Sequence, residues 1–167
     1  MPPARRVGEA DRPDFYAAAI YGSIVSAALL APLHEEHVAA ADALAALLST
    51  AGVFWLAHAW STIVAERIHF GLPFSLRHAR EIARAEWPLM ESALAPSFVL
   101  ALGWAGLVGN QRALTLAIAL SVAQLFGWGF VVGHRAYHRG LHAVAAGVVN
   151  GVLGVGLVAL EVAVVHR

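Results

Sequence analysis

Long apolar blocks alternate with short charged breaks along the chain. Five blocks approach or exceed the roughly 20 helical residues needed to cross a hydrocarbon core about 30 Å thick. They run from Phe15 to Leu33, ended by His34-Glu35-Glu36-His37, from Ala43 to Ala65, ended by Glu66-Arg67, and, least uniformly, from Pro88 to Gly109. After Asn110-Gln111-Arg112 the fourth runs from Ala113 to Gly133, and the fifth from Leu141 to Val165. No β-barrel alternation runs through them, and lipid offers backbone N–H and C=O groups no partners, so helices are the expected form. The pattern predicts an all-α fold, a polytopic transmembrane helical bundle of five crossings. Residues 15–167 would form one domain behind a tail of residues 1–14.

Between the second and third blocks, Phe70 to Trp87 is too polar to span. Ser75 offers an N-cap after Pro73, and Leu76, Ala79, Ala83 and Trp87 recur at helical spacing. Arg77, Arg80, Glu81 and Arg84 take the other sides, with Arg77 and Glu81 as an i,i+4 pair. An interfacial amphipathic helix over about 75–87 is expected, either laid on the headgroups with its arginines toward anionic lipid or packed as a connector.

Composition agrees with oil as the solvent: 59% of residues are hydrophobic and 13% charged, with mean hydropathy +0.67, where soluble domains carry about 25% charge. The 11 basic residues, all arginine, balance 11 acidic ones, so no charge excess points to nucleic acid. The absence of cysteine removes disulfides, iron–sulfur clusters, thiolate metal sites and a cysteine nucleophile together. Richness in Ala, Val, Gly, Leu and Arg without lysine suggests a high-GC bacterial genome and hence a plasma (inner) membrane. With five crossings, Arg5, Arg6, Arg12, Arg67, Arg77, Arg80, Arg84, Arg135 and Arg139 share one side, leaving Arg112 and Arg167 on the other. By the positive-inside rule the amino terminus is cytoplasmic and the carboxyl terminus outside. The first block is longer than the h-region of a signal peptide, and Pro32-Leu33-His34-Glu35 is not a small-residue cleavage site, so retention is expected.

Helices in lipid associate by close contact over small residues. Seams of that kind run along Ala18, Gly22 and Ser26, along Ala19, Ser23, Ala27 and Ala31, through Gly129 and Gly133, and through Gly147, Gly151 and Gly154. They predict a tight bundle, and equally suit a homo-oligomer or contact with another membrane protein. No internal repeat is apparent.

Polar groups at depth are the functional candidates, because burying them in hydrocarbon is costly. His58 lies roughly 10 Å from the cytoplasmic end of its helix, flanked by Ser61, Thr62 and, at the mouth, Glu66. It reads either as a relay or sensing group or as a hydrogen-bonded structural histidine. Glu91 and Ser92 stand before Pro96, which frees the Ser92 carbonyl and so suggests an oxygen-rich cation site. The alternative places Glu91 at the headgroups, paired with Arg84 or Arg67. Gln124 and Asn150, near mid-membrane, suit hydrogen bonds between helices, and Glu161 lies nearer the outer end. Two histidine groups are weak metal candidates: His34, Glu35, Glu36 and His37 outside, with Asp42 nearby, and His134, His138 and His142, which recur every four residues but are interrupted by Gly140. No resident cofactor is implied. The chain has no GxSxG, HExxH, phosphate-loop or dinucleotide-binding motif, so nothing argues for an enzyme.

Tyr21-Gly22-Ser23-Ile24-Val25, Val53-Phe54-Trp55-Leu56-Ala57-His58 and Glu86-Trp87-Pro88 resemble stretches of a group of small actinobacterial integral membrane proteins without an assigned activity. That resemblance implies location and crossing architecture only. In layout the chain is also similar to the vacuolar iron transporter family, which has five crossings and a charged cytoplasmic segment between the second and third. It departs from that family in having no acidic residue within the first crossing and few carboxylates between Glu66 and Glu91. Two expectations follow. One is a small transporter or channel with a cytoplasmic-side polar pocket at His58, Thr62, Glu66 and Glu91. The other is a non-transporting partner or assembly protein that binds membrane proteins or anionic lipid. They differ in whether His58 and Glu91 border a water-accessible cavity.

Overall fold

The computed structural model describes residues 13–70, 75–137 and 140–165. The tail with Arg5, Arg6 and Arg12, together with Pro73, His138, Arg139 and Arg167, lies outside the described residues. Six helices are formed among them: α1 (Pro13–Glu35), α2 (Ala40–Phe70), α3 (Leu76–Ala85), α4 (Trp87–Trp104), α5 (Asn110–Tyr137) and α6 (Gly140–Val165).

Four helices, α1, α2, α5 and α6, are long and apolar enough to cross a membrane, which corrects the expected five. The exception is α4, with 18 residues that include Glu91, Ser92, Ser97 and two prolines, Pro88 and Pro96. Its serines and prolines turn toward protein neighbours, while Glu91 is exposed. The helix packs against α1, α2 and α5 and buries Leu89, Ser92, Ala93, Pro96, Ser97 and Leu100. Trp87, Glu91, Leu94 and Phe98 form its exposed stripe at helical spacing. The third apolar block extends to Gly109, yet the helix stops at Trp104 because Gly106 adopts φ +75. Leu107 N–H then bonds the Leu102 carbonyl at 3.0 Å and Gly106 N–H the Gly103 carbonyl at 3.1 Å, satisfying the last carbonyls in a Schellman turn.

His37, with φ 56, closes α1 by the same device: Val38 N–H bonds the Leu33 carbonyl at 3.0 Å and His37 N–H the His34 carbonyl at 3.1 Å. Beside this turn, Asn110 Nδ2 donates to the Val38 carbonyl at 2.9 Å and its Oδ1 accepts from Ala40 N–H. Gln111 Nε2 donates to the His34 carbonyl at 2.9 Å. One end of the bundle thus joins the end of α1, the start of α2 and the start of α5. The opposite end gathers the start of α1, the end of α2, α3 and the start of α4.

Alanine dominates the core, where Ala43, Ala51, Ala93, Ala113 and Ala117 are buried beside Leu30, Leu47, Leu100 and Leu114. The small-residue seams close inside the chain. A Cβ on Gly22 would meet the Leu89 carbonyl oxygen at 2.7 Å and also strike Ser92 Oγ. Gly129 lies against Ala146 and Asn150, Gly133 against Ala143 and Ala146, Gly147 against Phe126, and Gly154 against Leu125. Gly151 makes ordinary contact with Phe126. Ser26, 2% exposed, donates to the Gly22 carbonyl at 2.8 Å. These residues make the α1–α4 and α5–α6 contacts of a single copy.

Candidate functional site

α3 begins after Ser75, whose extended backbone occupies the N-cap position without a side-chain cap hydrogen bond. The expected inner face was Leu76, Ala79, Ala83 and Trp87. Instead Ile82 is its buried residue, while Leu76 and Trp87 are exposed. Trp55 Nε1 donates to the Ala83 carbonyl at 2.8 Å, and the Trp55 and Trp87 rings meet edge-on at 6.0 Å. That docking turns His78 and Glu81 toward α2. The Arg77–Glu81 pair forms as expected at 3.4 Å, with the arginine side chain 91% exposed.

A cavity of about 790 Å³ lies between α3 and the ends of α1 and α2, lined by Tyr21, His58, Thr62, Glu66, His78, Glu81 and Glu86, with Ala17, Ala18, Ile82 and Ala85 as its apolar wall. Its lining comes from a single end of the bundle. On another face of α1, Gly22 packs against Leu89 and Ser92, and Ser23 is fully buried. The space is a vestibule open to the surface at that end of the bundle.

Its polar groups are organised in pairs. The Glu66 carboxylate accepts a hydrogen bond from His78 Nε2, and His78 Nδ1 lies 3.8 Å from Glu81. The hydrogen bond that His78 donates to Glu66 raises its pKa above the ordinary value of 6.5, and the negative charges of Glu66 and Glu81 add to the shift. Thr62 Oγ1 donates to Glu86 at 3.4 Å. His58 Nδ1 donates to the Phe54 carbonyl at 3.3 Å, leaving Nε2 as the acceptor nitrogen. The imidazole lies 5.1 Å from the Tyr21 ring, centre to centre.

Of the expected pocket, His58, Thr62 and Glu66 line this cavity. Ser61 is exposed and donates to the His58 carbonyl at 2.9 Å. Glu91 and Ser92 do not join them. Glu91 is exposed on α4, while Ser92, 3% exposed, donates to the Leu89 carbonyl at 2.7 Å, so no oxygen-rich site forms at Pro96. His78, Glu81, Glu86 and Tyr21 were not foreseen. The signal for the α3 residues was present in the spacing of His78, Glu81, Ile82 and Ala85, one helical face, but the arginines of α3 drew attention to the opposite side.

The histidine groups are held by the protein itself. His34 Nε2 donates to Thr115 Oγ1 at 3.0 Å, and Thr115 donates in turn to the Gln111 carbonyl at 2.9 Å. His34 Nδ1 is 3.5 Å from Glu35, and His37 Nδ1 donates to the Glu35 carbonyl at 2.7 Å. His134 stacks on Phe130, and α5 and α6 are separate helices on either side of His138. Among the described residues no three His, Asp or Glu side chains converge to hold a metal ion. Asn150 Nδ2 donates to the Ala146 carbonyl of its own helix at 3.0 Å, and Gln124 Oε1 is buried without a hydrogen-bond partner among the described residues. A second cavity, about 610 Å³ on the outer surface between α5 and α6, is lined by apolar side chains and glycines.

No family model, no curated protein and no solved structure matches the chain. The likenesses to the actinobacterial group and to the vacuolar iron transporters therefore carry no assignment, and function is argued from the vestibule.

Proposed function

We propose that the chain is a small bacterial plasma-membrane transporter that takes its solute into the vestibule from the cytoplasmic face. The observation that carries this reading is the vestibule itself: His58, with Thr62 and Glu66, borders an open cavity, where a purely structural role would bury it against neighbouring helices. Glu91, expected beside it, is exposed on α4 and takes no part, so the reading rests on the α1–α2–α3 cavity alone.

The orientation rests on arginines and on α4. Among the described residues Arg67, Arg77, Arg80, Arg84 and Arg135 belong to the vestibule end and Arg112 to the other, which makes the vestibule end cytoplasmic. α4 starts beside α3 and ends beside the start of α5, so on this proposal it runs between the two faces with one side against protein and Leu94 and Phe98 outward, although apolar length alone does not count it among the crossing helices. Its 18 residues extend about 27 Å, close to the hydrocarbon thickness. The carboxyl terminus then lies outside.

The competing reading, a non-transporting partner protein, retains the exposed Arg77, Arg80 and Arg84 of α3 as a surface for anionic lipid. Flux separates the two. In proteoliposomes screened against a panel of inorganic and organic ions, the wild type shows saturable uptake. His58→Ala and Glu66→Gln lower it by about tenfold or more, the worth of one hydrogen bond to a charged group. Uptake no greater than in empty liposomes for every ion, or unchanged uptake in both variants, contradicts the proposal.

A further inference from the structure

The walls of the vestibule specify the class of solute more narrowly, and this step rests on reading the vestibule as a solute site. Three carboxylates, Glu66, Glu81 and Glu86, line it with two imidazoles, His58 and His78, and no arginine. Arg77 offsets Glu81 and His78 is paired with Glu66, which leaves Glu86, hydrogen-bonded to Thr62, as the lining carboxylate without a cationic partner among the described residues, so the space is matched to a positive guest. Arg77 reaches Glu81 at 3.4 Å, with its side chain 91% exposed.

A bare metal ion does not fit this arrangement. Glu66 is bonded to His78, Glu86 to Thr62, and the described His, Asp and Glu side chains nowhere converge in threes on one point. The volume of about 790 Å³ matches roughly 25 water molecules at about 30 Å³ each, far more than a dehydrated ion fills. The rest of the wall is of another kind. Tyr21 presents an aromatic ring beside the His58 imidazole, and Ala17, Ala18, Ile82 and Ala85 supply methyl and methylene groups. Diffuse negative charge, an aromatic face and an apolar wall together suit a cation carrying hydrocarbon, which gains from cation–π contact and from burial at once.

We propose that the vestibule binds a monovalent organic cation with apolar substituents, of the ammonium or phosphonium class, in preference to metal ions and to anions.

The test uses the full chain in lipid nanodiscs with radiolabelled tetraphenylphosphonium as probe. One saturable site per chain is expected, not displaced by excess Mn²⁺, while the equally apolar anion tetraphenylborate shows no saturable binding. Glu86→Gln and Tyr21→Leu each weaken binding by about fivefold or more, and Tyr21→Phe, which keeps the ring, restores it. Displacement by Mn²⁺, saturable binding of tetraphenylborate, or undiminished binding in both weakened variants, each checked for retained helicity, overturns the proposal. Saturable binding without flux in proteoliposomes upholds this inference and overturns transport. Flux of an inorganic ion with no tetraphenylphosphonium binding does the reverse.

Discussion

At Gly22 the absence of a side chain sets how closely α1 approaches α4. A Cβ placed there would sit 2.7 Å from the Leu89 carbonyl oxygen, a backbone atom that cannot swing aside. Gly22→Ala should therefore cost about 1–3 kcal/mol through overpacking. Gly52, with nothing within 4 Å of its Cβ position, should tolerate alanine or gain about 0.5–1 kcal/mol of helix stability. Denaturation by increasing SDS fraction in mixed micelles, followed by circular dichroism, measures both, and equal effects at the two positions would refute the packing argument. Small residues at four-residue spacing were legible as seams. Whether Gly129 and Gly133 faced their own chain or a second copy was not, because either partner satisfies the same pattern. His58, Thr62 and Glu66 were legible as a group because they share one helix. Their partners His78 and Glu86 lie beyond the polar segment, and only the docking of α3 brings them in.

Docking of α3 includes an ion pair as well as the Trp55 hydrogen bond and Ile82. His78 holds its proton more tightly when packed against Glu66 and Glu81, so its pKa lies above 6.5 in the folded protein. The attachment this pairing supplies is fully present below about pH 6.5 and is lost as pH rises through the raised value. Hydrogen exchange over residues 76–85 should accelerate as pH climbs through that window, after correction for the intrinsic pH dependence of exchange, while His78→Gln should show no such step. A corrected profile identical in wild type and variant would mean that the Trp55 to Ala83 hydrogen bond and Ile82 hold α3 without help from the ion pair. The helix was legible from Ser75 onward, as was its Arg77–Glu81 pair. Its inner face was misassigned, because Leu76 and Trp87 are as apolar as a core requires, yet Leu76 falls at the exposed start of α3 and Trp87 beyond its end, as the exposed first residue of α4.

For the whole molecule, apolar length alone counts four crossing helices, while the hydrogen bonds at the His34–Asn110 end and the ion pair at the Glu66–His78 end put α2's finish and α5's start at opposite ends of the bundle. α4 falls short of that count with its 18 residues, Glu91 and two prolines, and a sequence does not reveal that one side of it packs on protein. The membrane class and the helical form were legible throughout, since blocks of such length have no other stable home; the vestibule was not, since it needs α3 folded back over α2.

The central claim of the proposal is a water-accessible space at the α3 end of the bundle, with α4 running from that end to the other. The chain contains no cysteine, so single cysteines report cleanly. Thr62→Cys in the vestibule and Thr115→Cys at the far end should be probed with a membrane-impermeant maleimide in right-side-out and inside-out vesicles. Thr62→Cys is expected to react only from the cytoplasmic side and Thr115→Cys only from the outside. Reaction of both from one side, or of Thr62→Cys from neither or from both, would contradict it.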